Sequence, residues 1–216
     1  MLINLGAKPS LITEYLNQLR DVEVQSSRLL FRKNIERLGA LFAYEISQKL
    51  KYKPKQVQTP LGVITCPNLV EQPVVASILR AGLPFQQGIM NFFDDADSCF
   101  VSAYRKHKPD GSFEIELGYQ AHPRLDDRIL IIADPMLATG RSMVSVYQKL
   151  VASGKPKETH MAVIVASQTG VDYVQNHAPE VNLWTGAIDP ELNKDFYIVP
   201  GLGDAGDLAF GEKIQH

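Results

Sequence analysis

The stretch Ile129-Leu130-Ile131-Ile132-Ala133-Asp134-Pro135-Met136-Leu137-Ala138-Thr139-Gly140-Arg141-Ser142 decides the fold. Its apolar start predicts a strand buried on both faces, as inside a parallel sheet. The run stops at Asp134 and Pro135. Beyond Ser142, apolar residues recur at Met143, Val146, Tyr147 and Leu150 with helical spacing. The expected order is strand, short turn over 136–138, then helix. The first amides of a helix have no intrahelical partner, and the helix dipole makes them electropositive. With the hydroxyls of Thr139 and Ser142 and an unencumbered Gly140, the turn suits a phosphate. Asp134 ends the strand, at the edge where open α/β sheets bind ligands. A carboxylate repels phosphate but accepts from two neighbouring hydroxyls, so ribose is its natural partner. A strand–loop–helix turn with an incidental Asp is the plainer alternative.

A cradle for ribose 5-phosphate matches a known signature. Asp134 to Ser142 resembles the 5-phosphoribosyl 1-diphosphate (PRPP) motif of type I phosphoribosyltransferases, in the variant typical of the uracil phosphoribosyltransferase family. The resemblance implies that Asp134, Pro135, Met136, Leu137, Ala138, Thr139, Gly140, Arg141 and Ser142 bind PRPP. Pro135 stands where the wider family has a second acid, as in the uracil enzymes. Arg141 replaces the usual glycine, as in the related pyrimidine-operon attenuators.

Composition bounds the rest. A chain of 216 residues suits one α/β domain, or one domain with an extension. The net charge of −2 excludes a general attraction to nucleic acid. An anionic substrate then needs local cations and backbone amides. The two cysteines, Cys66 and Cys99, match no ligand spacing and suit a reducing cytoplasm. No apolar run reaches the ~20 residues of a membrane span, and the first ten residues lack the pattern of a signal peptide.

Residues 1–25 form an N-terminal arm in this reading, with a short amphipathic helix at Leu11, Ile12, Tyr15, Leu16 and Leu19. Residues 26–216 form the single catalytic domain. A helix from Ser26 carries Leu29, Leu30, Ile35, Leu38, Leu41, Phe42, Ile46 and Leu50 inward, with Arg28, Arg32, Lys33, Glu36 and Arg37 as its solvated face. Lys53 to Cys66 reads as a two-stranded excursion turning at 59–62. Val74 to Leu79 is a second buried strand, ending in Arg80-Ala81-Gly82-Leu83-Pro84. Gly82 permits close backbone approach, and Arg80 can fork onto a diphosphate. This loop resembles the family's diphosphate-binding loop.

A strand from Ser98 to Tyr104 continues into the basic run Arg105, Lys106, His107 and Lys108. Asp110-Gly111 turns it back along Phe113, Ile115 and Leu117. The resulting hairpin, about 104–122, suits a hood that closes over PRPP and excludes water. The resemblance assigns Arg105 to the diphosphate. It departs at Ala121-His122-Pro123, where the family has Lys-Leu-Pro, and His122 reads as a plain loop histidine. Met161 to Ala166, a helix near 170–177, and Val181 to Ile188 complete the alternation, which argues a parallel sheet with helices on both faces. His160 and His177 lack metal-ligand spacing.

The stretch Tyr197 to Asp207 holds three glycines and a proline, so it reads as a shaped loop with exposed backbone. Backbone amides can read uracil and reject cytosine, since unpaired polar groups cost roughly 1–3 kcal/mol each. The stretch, about 197–208, resembles the family's uracil-binding loop. That likeness assigns the backbones of Ile198, Gly203 and Ala205 to uracil, along with Asp204, which faces PRPP or its Mg²⁺. Leu208 replaces the family's arginine.

The implied fold is the type I phosphoribosyltransferase fold: a mostly parallel twisted sheet flanked by helices, with a β-hairpin hood and an N-terminal helical extension. The implied reaction joins uracil and PRPP to give UMP and diphosphate in pyrimidine salvage. Arg80, Arg105, Asp134 and Asp204 are its catalytic candidates. Mg²⁺ arrives with PRPP, with no metal site of the protein's own. GTP is a candidate effector, and a cytoplasmic homodimer or higher homo-oligomer is expected, with no nucleic-acid or membrane partner. Two rivals are a phosphoribosyltransferase for another base and a non-catalytic regulator binding UMP and RNA.

Overall fold

The computed structural model, which describes residues 1–107 and 113–214 but not the side chains of 103–117, places the apolar runs side by side in one sheet. In chain order the elements are β1 (Leu2–Asn4), α1 (Leu11–Arg20), α2 (Arg28–Ser47), β2 (Tyr52–Thr59), β3 (Gly62–Leu69), β4 (Val74–Leu79), α3 (Gly82–Met90), β5 (Asp97–His107), β6 (Phe113–Ala121), β7 (Ile129–Ala133), β8 (Met136–Leu137), α4 (Arg141–Ser153), β9 (Glu158–Ser167), α5 (Gln168–His177), β10 (Asn182–Asp189), β11 (Glu191–Leu192), β12 (Ile198–Val199) and α6 (Ala205–Phe210). The main sheet runs β1-β10-β9-β7-β4-β5-β6, with β8 also paired to β9. All its pairings are parallel except β5 with β6.

Burial explains which runs become central strands. All five residues of β7 are buried, and nine of the ten in β9. One core layer packs α1, α2 and α3 against the sheet through Leu19, Phe31, Ile35, Leu38, Phe42, Phe85 and Ile89. The opposite face is covered by α4 and α5 through Met143, Val146, Leu150, Val171 and Val174. The parallel sheet with helices on both faces is therefore the observed architecture.

Several local expectations are revised. The inward stripe of α2 runs through Phe31, Ile35, Leu38, Phe42 and Ile46, whereas Leu29 is exposed. The reason is angular: steps of three and four residues from Phe31 stay on one face, and Leu29 lies off it. On the same helix Arg32 is not simply solvated. Its Nη1 donates to the Ala209 carbonyl at 2.6 Å, supplying a donor that the end of α6 lacks. The chain leaving β7 does not turn directly into a helix. Met136 and Leu137 first rejoin the sheet as β8 beside Val165 and Ala166. Leu2–Asn4 adds a strand beside β10, with registry Leu2 to Leu183; three residues carry too little pattern to announce it.

The hairpin β2–β3 forms as expected, turning at Thr59 to Gly62, and stands apart from the main sheet. The β5–β6 hairpin expected as a hood pairs Tyr104 with Glu116 and His107 with Phe113. Lys108, Asp110 and Gly111 lie outside the described residues, as do the side chains of Arg105, Lys106 and His107. His160 is buried at the far end of the sheet. Its Nδ1 accepts from Trp184 Nε1 at 3.0 Å, and burial pushes its pKa down to about 4. Burial likewise pushes the Cys99 thiol up to about 12. His122 Nδ1 meets only the neighbouring Pro123 carbonyl, at 2.7 Å, among the described residues.

Candidate active site

Asp134 leaves the sheet at the carboxyl end of β7 and is half-buried. Its amide donates to the Ala162 carbonyl at 3.1 Å, and its Oδ1 accepts from the Met136 amide at 3.3 Å. One long hydrogen bond does not replace lost hydration. Burial therefore pushes its carboxyl up to about 7, against a smaller downward pull from the Met136 amide. Hydroxyl donors from a ribose would supply what the carboxylate lacks.

Six residues on, Gly140 precedes α4 with φ +74°, a left-handed conformation that glycine adopts without a steric penalty. The first backbone bond there runs from the Val144 amide to the Gly140 carbonyl at 3.0 Å. The amides of Ser142 and Met143 thus precede the helical ladder, as a phosphate cradle requires. The loop is fixed from behind by α5. Ser167 caps α5 by accepting from the Gly170 amide at 2.9 Å, and its hydroxyl donates to the Ala138 carbonyl. A Cβ on Gly140 would fall 2.8 Å from the Gly170 carbonyl oxygen and 3.1 Å from Tyr173 Cβ. Gly140 is needed for its φ and for this contact between loop and helix. Gly82 is similar: a Cβ would lie 2.7 Å from the Ala133 carbonyl oxygen and 2.8 Å from Ser77 Oγ. Its bareness lets the Arg80 loop abut the end of β7.

Arg80 follows β4 directly, after a cis Leu79–Arg80 peptide. Its Nη2 donates to Asp207 Oδ1 at 2.6 Å and its Nη1 to the Gly211 carbonyl at 3.1 Å. The loop after β4 is thus joined to α6 and the residue that follows it. The stretch expected to be loop throughout becomes helical at Ala205–Phe210, because Asp204 caps it by accepting from the Asp207 amide at 3.0 Å. Burial alone would raise the Asp204 carboxyl, but the Lys213 ammonium 2.8 Å away and the Asp207 amide outweigh it and hold the group below the usual carboxylate range.

The base-reading candidates run from β12 to the first residue of α6. Ile198 is buried in β12, Ala205 is buried at the start of α6, and Gly203 between them is exposed with φ +95°. Sequence reasoning missed what fixes this loop. Arg20, the last residue of α1, makes a two-pronged ion pair with Asp189, both contacts 2.8 Å, and donates to the Gly201 carbonyl at 3.0 Å. Asp189 also accepts from the Gly201 amide at 2.8 Å. Asp189 ends a buried strand much as Asp134 does, and that was the available signal. The turn at Asp189-Pro190 is real, but Asp189 also anchors a loop twelve residues further on.

The structure therefore gathers the ends of β4, β7, β9 and β10 along one edge. Arg80, Asp134, the 138–142 turn and the 198–205 loop all lie at that edge; the Arg105 side chain lies outside the described residues. Backbone amides at the start of α4, one carboxyl poised for hydroxyls and an arginine at the same sheet edge have the chemistry to hold a sugar phosphate and a small planar base.

Comparison with known proteins identifies the family. Residues 7–212 match the family model described as uracil phosphoribosyltransferase. A Porphyromonas gingivalis protein named uracil phosphoribosyltransferase is 50% identical over 213 residues, covering 98% of this chain and 99% of that protein. One of the same name from Methanothermobacter thermautotrophicus is 41% identical over 183 residues, covering 84% and 83%. A solved Aquifex aeolicus protein superposes with a TM-score of 0.89 at 29% identity over the whole of both chains. A Mycobacterium tuberculosis orotate phosphoribosyltransferase, solved with PRPP, shares the fold at a TM-score of 0.52 and 13% identity, covering 84% of this chain and 91% of that one. The chain belongs to the uracil phosphoribosyltransferase family.

Proposed function

We propose that this chain joins uracil to the ribose of PRPP, releasing diphosphate and forming UMP for pyrimidine salvage. The carrying observation is the single loop that presents Asp134 at a strand end and, ahead of the α4 ladder, the amides of Ser142 and Met143. The spacing fits one sugar phosphate: Asp134 takes the ribose hydroxyls, and 138–142 take the 5-phosphate. The bond from C1 to diphosphate breaks as the bond from C1 to the uracil nitrogen forms, and that nitrogen loses its proton. Positive charge grows on the ribose and negative charge on the leaving group, so catalysis rests on positioning and electrostatics. Arg80 and Arg105 are assigned to the leaving diphosphate. Backbone groups of Ile198, Gly203 and Ala205 are assigned to uracil.

Mg²⁺ is proposed to arrive on the PRPP diphosphate, where it would offset negative charge. The Asp204 carboxylate has the oxygen chemistry that Mg²⁺ takes, and it is the residue that would face the ion. The described residues contain no cluster of three or more His, Cys, Asp or Glu side chains suited to a metal. A homo-oligomer is proposed on the strength of β2–β3. Most residues of this hairpin are exposed and none is buried, with Val63 and Ile64 among the exposed ones, and a lone two-stranded hairpin is marginal in water. A second copy of the chain would cover it, and light scattering on the purified protein tests this. No described helix is long and apolar enough to cross a membrane; a cytoplasmic enzyme is the reading that the two free cysteines support. GTP stays a candidate effector, tested by adding it to the rate assay.

The test of the reaction is UMP formation from labelled uracil, with and without PRPP, beside cytosine, orotate and hypoxanthine. PRPP-dependent UMP with uracil alone is expected. Turnover of another base in preference to uracil would overturn the assignment.

A further inference from the structure

Arg80 faces a conflict. Its Nη1 and Nη2 are both engaged by the segment from α6 to Gly211, yet the same fork is assigned to the diphosphate. If Arg80 turned to PRPP with nothing else moving, the Asp207 carboxylate would lose its close partner beside an arriving polyanion. A second cation is already in place. Lys213 Nζ lies 2.8 Å from Asp204 Oδ2 and 3.6 Å from Asp207 Oδ1, the oxygen that Arg80 holds. Gly206 makes room for this crowding: a Cβ there would fall 3.2 Å from Asp204 Oδ1 and 3.3 Å from Arg80 Nη2. Lys213 stands one residue past the span that the family model matches.

We propose that Lys213 is a positioning residue for PRPP binding: Arg80 exchanges Asp207 for the diphosphate, and the Lys213 ammonium takes over the Asp207 carboxylate. The exchange keeps every carboxylate of the cluster paired before and after binding. Without Lys213, Asp207 holds Arg80 more tightly and adds uncompensated negative charge beside PRPP. The proposal rests on Arg80 contacting the diphosphate.

The experiment compares Lys213→Gln, Lys213→Arg, Asp207→Asn, the double variant Lys213→Gln/Asp207→Asn, and Arg80→Gln in steady-state assays, with thermal unfolding of each. These pairs are partly exposed, so Lys213→Gln is expected to raise the KM for PRPP by about 3- to 10-fold. Its kcat and its KM for uracil should stay near wild type. Lys213→Arg should restore the KM, and Asp207→Asn in the Lys213→Gln background should recover most of the loss, because Arg80 is then no longer held by an unshared carboxylate, although Asp204 still lacks its ammonium. A purely structural lysine predicts no such rescue by Asp207→Asn, and its absence overturns the proposal. So does an unchanged KM in Lys213→Gln while Arg80→Gln raises it. If Arg80→Gln itself leaves the KM for PRPP unchanged, the Arg80 assignment fails first and the exchange falls with it.

Discussion

Replacing Asp134 with asparagine should make the protein more stable and nearly inactive. The carboxyl is lifted from 3.8 to about 7 by burial at the end of β7. Such a group prefers to keep its proton in the folded state. Between about pH 4 and pH 7 the unfolded chain has released that proton while the folded chain still binds it, so stability falls as pH rises across this window. Above about 7 the cost is complete. The full difference corresponds to an upper bound of about 4 kcal/mol, and solvent entering the open cleft reduces it to about 1–3 kcal/mol. Asn keeps an oxygen for the Met136 amide and carries no charge to desolvate. For a chain of this size the gain amounts to roughly 2–12 °C in Tm at pH 8, vanishing near pH 4. Activity should move the other way. Two hydrogen bonds from ribose to an ionised acceptor, at about 1.5 kcal/mol each, total about 3 kcal/mol, or about 100-fold in kcat/KM. Hydroxyl donors favour the carboxylate, so wild-type affinity for PRPP should rise with pH through about 7. The variant should retain only the titration of the substrate's own phosphates. The assays are thermal unfolding at pH 4 to 8 and PRPP kinetics over the same range. A variant less stable than wild type at pH 8, or one with full activity at saturating PRPP, would refute the reasoning.

Other perturbations separate the parts of the cleft. Arg20→Ala leaves Asp189 buried without its partner and frees Gly201; a loss of about 2–4 kcal/mol in denaturant unfolding is expected, with the KM for uracil raised more than that for PRPP. Gly140→Ala adds the left-handed penalty of about 1–2 kcal/mol to a clash with the Gly170 carbonyl. Calorimetry should show lower stability, and isothermal titration at least about tenfold weaker PRPP binding. Arg105→Ala should raise the KM for PRPP while uracil stays the preferred base, and a base panel checks this.

Much of the fold was legible because the central strands are apolar runs closed by a charge and a glycine. Leu79-Arg80 and Ala133-Asp134 both mark the point where backbone leaves a covered sheet. The periodicity of Met143, Val146, Tyr147 and Leu150 gave α4 directly. Short elements were not legible. Leu2–Asn4 and Met136–Leu137 owe their conformation to a neighbouring strand's unpaired edge, which no local pattern encodes. The helix α6 was hidden by Gly206 and the glycines just before it, although Asp204 three residues before Asp207 is a capping signal. Arg20 and Asp189 are 169 positions apart, so their pairing belongs to tertiary structure. The reason for Gly82 and Gly140 was half visible: each was read as making room for a ligand, and each also makes room for another stretch of the chain.

The most direct test of the central claim is a crystal structure with UMP bound. The phosphate is expected on the amides of 139–143, the ribose hydroxyls on Asp134, and the uracil ring against the backbone of 198–205. A phosphate seated elsewhere, or a ribose turned away from Asp134, would contradict the account.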